Sequence, residues 1–284
     1  MKILRIKPPE WEKRTHEQLR QHYEVEKELS NRLRNAHKEE RIELYNVLYD
    51  ELFHRVPGHS LLARKHSHEA RNAAVRRQMR LLKRFLYPEA VFLEIGAGDC
   101  SLSSEVSRYV KNVYAVDVSE VITKNSDFSK KLKVIISDGC HIPIESESIN
   151  IAYSYQLMEH LHPEDAFEQL REIYRTLSRG GKYICITPSR LSGPHDISKY
   201  FDNSATGFHL KEYSVKELSQ LFKEAGFSKV TIYIGGKGVY MRCPAYLVGW
   251  LENGLDLLPP KLKVDIANTA PFKAFLGIRV VAEK

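Results

Sequence analysis

The sequence predicts an α/β fold in which a mainly parallel, doubly wound sheet carries helices on both faces. From residue 90 onward, short apolar runs alternate with segments of helical periodicity, as in proteins built from successive strand–helix units. The runs are apolar along most of their length, which is typical of parallel strands buried on both faces. Residues 1–88 lack this alternation, so we expect a helical N-terminal extension at 1–88 and an α/β domain at 89–284.

The N-terminal extension is predicted to be helical because residues 11–54 contain neither Pro nor Gly and repeat apolar residues every three to four positions. Pro57 and Gly58 interrupt that pattern. Ser67 is a good N-cap for a second helix, which the apolar spacing extends to about Tyr87.

The α/β region has a regular order of predicted elements. The predicted strands are 91–95, 112–116, 132–136, 149–154, 182–187, 229–234 and 274–282, and the predicted helices are 101–109, 163–178 and 214–225. Two connections are unusually long. We expect residues 188–213 to form a lid over a ligand site. The apolar segment 235–273 is expected to be a cap over the same site, a contact in a homodimer, or part of the core.

Composition excludes several classes of protein. With 43% hydrophobic and 28% charged residues, the 284-residue chain can bury a large core. It contains no apolar stretch long enough to span a membrane, and its charged N-terminus resembles no signal peptide. The four cysteines form no C-x-x-C pair, so neither a zinc site nor a disulfide framework is expected, and no other metal site is predicted. We therefore expect a cytoplasmic protein.

Charge is unevenly distributed along the chain. Residues 1–90 carry the whole net charge of +7, whereas residues 91–284 carry equal numbers of basic and acidic side chains. The second predicted helix has the basic cluster with the fewest acidic residues among it: Arg71, Arg76, Arg77, Arg80, Lys83 and Arg84. Two interpretations remain open, a solvated helical surface and a basic face for nucleic acid, anionic lipid or an acidic substrate.

Candidate ligand-binding residues follow three successive strands. Gly96 and Gly98 follow the first strand, Asp117 ends the second, and Asp138-Gly139 follows the third. In an open parallel sheet, ligands bind beyond the carboxyl ends of the strands. Glycines allow the backbone to approach a ligand, and a carboxylate after the second strand can accept both hydroxyls of a ribose. Each feature alone could be an ordinary turn or cap, but together they predict one site.

The segment 90–234 resembles the class I S-adenosylmethionine-dependent methyltransferases, in the ubiquinone-biosynthesis-like, type 11 group. The matching pieces are residues 91–98, 116–117, 137–139, 157–161 and 177–181. Two departures are visible: Cys100 stands where the glycine motif usually has a third glycine, and Ser178-Arg179 replaces the usual Lys/Arg-Pro. Both positions mainly serve a turn or a helix start.

The resemblance implies a Rossmann-like, seven-stranded sheet with an antiparallel last strand, and S-adenosyl-L-methionine as the cofactor. It also implies a set of cofactor-binding residues: Glu94, Gly96, Ala97, Gly98, Asp117, Val118, Asp138, Gly139, Cys140, Tyr155 and Gln156. A dinucleotide oxidoreductase is the nearest rival, because it too has an acid after the second strand. The missing third glycine, Glu94 before the turn and Asp138-Gly139 favour the methyltransferase.

The predicted activity is O-methylation of a small, partly hydrophobic molecule or biosynthetic intermediate. A hydroxyl acceptor must lose a proton, and histidine suits that role near neutral pH. The candidates are His160, His195 and His209. RNA or protein methylation using the basic N-terminal helices is one alternative. A non-catalytic, cofactor-binding interaction protein is the other.

Overall fold

The computed structural model describes residues 4–10, 12–59, 62, 67–120 and 129–284. Its helices are α1 (His16–Asn35), α2 (Lys38–Arg55), α3 (His68–Leu82), α4 (Ser101–Val106), α5 (Pro163–Thr176), α6 (Val215–Glu224), α7 (Ala245–Asp256), α8 (Pro260–Ala267) and α9 (Ala270–Leu276). Its strands are β1 (Val91–Ile95), β2 (Asn112–Asp117), β3 (Leu132–Ile136), β4 (Ile149–Tyr155), β5 (Leu177–Thr187), β6 (Lys229–Gly236), β7 (Val239–Cys243) and β8 (Ile278–Glu283). Short 3₁₀ helices cover Met158–His160 and Ile197–Tyr200.

Within the described residues, the eight strands form one sheet in the order β3-β2-β1-β4-β5-β8-β6-β7. The strands β1 to β5 are parallel to their neighbours, and β8 runs antiparallel to both β5 and β6. The predicted α/β class with an antiparallel last strand is therefore confirmed. Because β1 lies between β2 and β4, the strand order reverses beside β1, which is where an open parallel sheet leaves a crevice.

The sequence predicted seven strands, whereas the described sheet has eight. The additional strand, β7, lies within 235–273 and pairs with β6 in an antiparallel hairpin. Lys237 and Gly238 form the two-residue turn, both with positive φ (54° and 98°), a conformation that suits the twist of a tight hairpin. The expected strand 274–282 is also displaced. Residues up to Leu276 continue α9, which has a proline in its first turn, and the strand begins at Ile278.

The long N-terminal helical segment is two helices instead of one. Thr15 starts α1 with a capping box, and α1 ends at Asn35, followed by Ala36 in an extended conformation. The side chain of Glu40 then accepts the backbone N–H of His37 at 3.1 Å, which starts α2. A break made in this way needs neither Pro nor Gly. The predicted N-cap of α3, Ser67, is confirmed, although the helix ends at Leu82 instead of Tyr87.

The N-terminal helices share the core of the sheet. Leu29 and Leu33 of α1 and Leu48 and Leu52 of α2 belong to the same buried cluster as strand residues on one face of the sheet. On the opposite face, α3 packs with Met79, Leu81 and Leu82 against strand residues such as Phe92. The sheet is thus covered on both faces, as predicted. Among the described helices, none has the length and apolar character that crossing a membrane would require.

Candidate functional site

A cavity of about 400 Å³ lies at the carboxyl ends of the parallel strands. Its floor comes from the ends of β1, β2 and β4, and its cover comes from α1, α2 and residues 195–209. Ten of the predicted site residues line it: Gly96, Gly98, Asp117, Val118, Gly139, Tyr155, Gln156, His160, His195 and His209. Glu94, Ala97, Asp138 and Cys140 are not among the residues that line this cavity.

The loop after β1 is shaped by glycines in left-handed conformations. Gly96 has φ 70° and Gly98 has φ 55°, values that disfavour most other residues. A Cβ at Gly96 would come within 3.1 Å of the Leu157 side chain. Cys100, where a third glycine is usual, also adopts a left-handed conformation, with φ 56°. The loop therefore keeps the glycine-type backbone path despite that substitution.

Asp117 joins the loop after β1 to the end of β2. Its Oδ2 accepts the Gly98 N–H at 2.7 Å, and its Oδ1 accepts the Ser119 N–H at 3.0 Å. Burial raises the pKa of Asp117, although these backbone hydrogen bonds act in the opposite direction. The carboxylate thus lines the cavity with its geometry fixed by two amides.

Glu94 lies beneath the same loop, in a smaller adjoining cavity that Ala97 and Arg71 also line. The Ser103 hydroxyl donates a hydrogen bond of 2.5 Å to Glu94 Oε2. Burial raises the pKa of Glu94 to about 8. Because Gly96, Gly98 and Tyr155 line both cavities, Glu94 is close to the central site without forming part of its wall.

The loop after β3 brings Gly139 to the cavity but turns the Asp138 carboxylate toward its own loop. Asp138 Oδ1 accepts the N–H groups of Cys140 and His141, and Oδ2 lies 2.6 Å from His141 Nδ1. Gly139 has φ 88°, and a Cβ there would meet Tyr45 and Val118 at 3.3 Å. In this geometry Asp138 shapes the loop, while the backbone of Gly139 faces the ligand space.

The three predicted catalytic histidines come together at the cavity. The rings of His160 and His209 lie edge to face with centroids 4.8 Å apart. Burial lowers the pKa of His160 to about 3. Burial opposes protonation of His209 as well, but its hydrogen bond to Glu212 and the nearby carboxylates of Glu159 and Asp196 together outweigh that effect and raise its pKa. The pKa of His195 is lowered by burial, and its Nε2 lies 3.1 Å from the Ser189 carbonyl oxygen.

The N-terminal region contributes residues to the cavity wall that the sequence analysis did not single out. These residues include His22, Glu26, Tyr45, Tyr49, Phe53 and His59. His22 Nε2 lies 2.7 Å from Glu26 Oε1. Burial acts to raise the pKa of Glu26, but hydrogen bonds with His22 and His59 outweigh it and hold the pKa well below its usual range. His22 and Glu26 occupy i and i+4 positions between buried apolar residues of α1, a signal that was visible in the sequence.

The segment 235–273 does not line the cavity. Its helix α7 packs on α6, and its strand β7 extends the sheet beyond β6. Several large apolar side chains of the segment are exposed, including Tyr246, Trp250 and Leu257. The expectation of a cap over the ligand site is therefore not met, and the cover comes from the N-terminal helices together with residues 195–209.

Comparison with known proteins identifies the family resemblance of the central region. Residues 93–185 match the model of a methyltransferase domain family. A probable S-adenosylmethionine-dependent methyltransferase of Mycolicibacterium smegmatis is 26% identical over 137 residues, which are 48% of this chain and 51% of the relative. The chain thus spans about half the length of the curated relatives that it matches first.

Solved structures share the fold at low sequence identity. A methyltransferase of Archaeoglobus fulgidus superposes with a TM-score of 0.52 at 18% identity, covering 75% of this chain and 94% of that one. Phosphoethanolamine N-methyltransferase 1 of Haemonchus contortus, solved with phosphoethanolamine and S-adenosylhomocysteine, gives a TM-score of 0.58 at 12% identity. That match covers 87% of this chain and 50% of the Haemonchus chain. At these identities the likeness shows the fold alone.

Proposed function

We propose that this chain, which contains an S-adenosylmethionine-dependent methyltransferase domain at residues 93–185 with the class I fold, methylates an oxygen atom of a small, partly apolar molecule. One observation carries the proposal: Gly96, Asp117 and Gly139, from three successive strand ends, line a single cavity. The same cavity is lined by histidines that can take a proton from the hydroxyl group of a methyl acceptor.

The residues at the strand ends suit S-adenosylmethionine. A Cβ at Gly98 would have no atom within 4 Å, so the backbone there is open to close approach by a ligand. The partly buried Asp117 carboxylate can accept the hydroxyls of a ribose, and the Glu94 carboxyl beneath the loop can face an amino group. When bound, the cofactor supplies a methyl group on a positively charged sulfur. We assign the other predicted residues, including Asp138 and Cys140, to shaping the loops that form this cofactor site.

The walls of the cavity favour a small acceptor. Tyr49, Phe53 and Phe208 give it apolar surface, whereas Arg14 and the histidines give it polar groups. The cavity is covered by α1 and α2, whose burial in the shared core keeps the cover in place. The protein's contribution would be to align the acceptor and to exclude water. A nitrogen of His160, His195 or His209 is available to take or relay the proton that a hydroxyl loses.

The cofactor role of Asp117 is tested by isothermal titration with S-adenosylmethionine. We expect Asp117→Asn to weaken binding by about 10- to 100-fold, because hydrogen bonds to a charged group contribute roughly 1.5–3 kcal/mol. Glu105→Gln makes the same chemical change on α4, away from the central cavity, and should bind as the unmodified protein does. Equal affinity in both variants, or no affinity in the unmodified protein, would refute the proposed cofactor site.

The acceptor class is tested by incubating the protein with S-adenosylmethionine labelled in its methyl group and fractionated cell extract. Label in small molecules is expected. Label in RNA or protein instead would contradict the small-molecule proposal. RNA is a realistic outcome because Arg76, Arg80 and Lys83 line a separate surface groove on α3.

A further inference from the structure

We infer that Glu159, His160 and His209 form a binding site for a first-row divalent transition-metal ion at the acceptor end of the cavity. Each residue offers one ligand atom, and the three atoms lie within 4.8 Å of one another. Metal bonds of about 2.1 Å in tetrahedral geometry place ligand atoms about 3.4 Å apart. A closure of roughly an ångström would therefore complete the site.

The hydrogen bonds of both histidines leave the same nitrogen available. His160 Nδ1 lies 3.0 Å from the carbonyl oxygen of Phe208, and His209 Nδ1 lies 2.7 Å from Glu212 Oε1. Both partners are acceptors, so each Nδ1 carries the hydrogen and each Nε2 can present a lone pair. Metal-binding histidines almost always donate their second nitrogen in this way to a carbonyl or a carboxylate.

Glu159 supplies an independent sign of a ligand. The residue is fully buried, and its Oε2 accepts the Thr187 hydroxyl at 2.8 Å. Its Oε1 is buried too and has no hydrogen-bond partner among the described residues. A buried carboxylate oxygen without a partner is costly, and a bound cation would satisfy it.

The chain builds this site from two local segments. The 3₁₀ turn after β4 places Glu159 beside His160, and the segment 188–213 brings His209 against them. Glu212 is held in place because its Oε1 also accepts the His195 N–H at 2.7 Å. The orientation of His209 is therefore supported from behind.

The donor set indicates the class of metal. Two imidazole nitrogens and one carboxylate oxygen suit Zn²⁺, Co²⁺, Fe²⁺ or Mn²⁺ better than Ca²⁺ or Mg²⁺, which prefer oxygen ligands. Three protein ligands leave coordination positions free, as in catalytic sites. Resting on the proposed function, we expect an acceptor oxygen to bind there, where the metal would lower the pKa of its hydroxyl. With His160 and His209 as ligands, His195 is the histidine left to take the released proton.

Among the described residues, two other clusters have a similar composition, but hydrogen bonds and ion pairs with protein groups already occupy their polar atoms. In the cluster of His22, Glu26 and His59, Arg14 donates to His22 Nδ1 at 2.6 Å, which places the hydrogen of His22 on Nε2, facing Glu26. In the cluster of His162, Glu164 and Asp165, the guanidinium of Arg41 binds both carboxylates.

The site is tested by titrating the full chain, freed of metal with a chelator, with Co²⁺ and following its visible absorption and binding heat. We expect one tight equivalent, lost in His209→Ala and in Glu159→Gln. Glu212→Gln should weaken binding by about 10- to 100-fold, since it only orients a ligand. His22→Ala, the matched control from the neighbouring cluster, should bind Co²⁺ normally.

Binding of S-adenosylmethionine and the thermal unfolding midpoint establish that each variant is folded. If Glu159→Gln fails to fold, His209→Ala decides alone. An unmodified protein that binds the cofactor but no Co²⁺ would overturn the metal site and leave the proposed function standing. Co²⁺ binding without cofactor binding would overturn the proposed function and leave the metal site standing. Co²⁺ binding that survives His209→Ala, or disappears in His22→Ala, would also overturn the assignment.

Discussion

Glu94 is an acidic side chain that the fold keeps in its neutral form. It is buried under the glycine loop, and burial raises its pKa to about 8 from an ordinary value of 4.5. Nearby Asp99 and Asp117 act in the same direction, and the hydrogen bond from Ser103 opposes them. The folded protein thus holds a proton at Glu94 that the unfolded chain has already released at neutral pH.

This difference predicts how stability depends on pH. Between about pH 4.5 and 8 the folded state binds more protons than the unfolded state, so stability falls as the pH rises through this range. We expect the ligand-free protein to lose on the order of a few kcal/mol of unfolding free energy through Glu94 between pH 5 and 9. Urea unfolding at both pH values should show a smaller loss for Glu94→Gln. The Glu105→Gln protein should keep the full loss. An identical loss of unfolding free energy between pH 5 and 9 in all three proteins would contradict the assignment.

At the scale of elements, the helix α1 holds the segment 188–213 in place. Arg34 donates to the carbonyl oxygens of Gly207, His209 and Leu210 at 3.0, 2.9 and 2.8 Å. Glu26 accepts the N–H of Phe208 at 3.2 Å. These contacts satisfy backbone groups of an irregular segment that has no ladder of its own, and they fix the position of His209.

We therefore expect Arg34→Met to loosen this segment. Three buried carbonyl groups would lose their charged donor, at a cost of about 1–3 kcal/mol for each group left unsatisfied. Hydrogen exchange should become faster at residues 205–212 and remain unchanged in β1 and β4. Arg32→Met is the matched control, because Arg32 forms a surface ion pair with Glu51. Equal exchange in both variants would show that the anchor is dispensable.

The elements that the sequence predicted well are those specified by local residues. The strands β1 to β4 are short apolar runs, and the backbone path of the loop after β1 follows from Gly96 and Gly98. The break after Asn35 was missed because its cap uses the Glu40 side chain without a glycine or proline. The apolar residues before Ile278 fit a strand or a helix equally well, and only Pro271 favoured the helix.

The residues of the candidate site also fall into two groups, those that local sequence could predict and those that depend on the folded chain. Residues at strand ends, such as Asp117, could be predicted because parallel strands bring their carboxyl ends to one edge. The spacing of His22 and Glu26 was visible in the sequence, but that His22 and Tyr49 face the cavity depends on how α1 and α2 dock, which no local pattern encodes. The pairing of Glu159 with His209 was also beyond the sequence, since 49 intervening residues separate their positions and only the folded chain joins them.

At the scale of the whole molecule, the N-terminal helices and the sheet share one core. Leu29 and Leu48 lie in the same buried cluster as Leu93 and Cys185. A buried ion pair also joins α2 to α5, where Arg41 Nε lies 2.7 Å from Asp165 Oδ2. Removing one partner of such a pair typically costs about 3–5 kcal/mol, because the other charge is left buried. The extension thus forms a structural part of the described fold.

This arrangement predicts a single cooperative unfolding transition for the N-terminal helices and the sheet. Hydrogen exchange measured at increasing urea concentrations should lose protection in α1, α2 and β4 at the same midpoint, because opening α1 and α2 would expose the apolar face of the sheet. Arg41→Met should lower that midpoint for all three elements together. Arg32→Met, at an exposed position of α1, should change it little. Unfolding of α1 and α2 at a distinctly lower urea concentration than β4 would show instead that the extension folds as a separate unit.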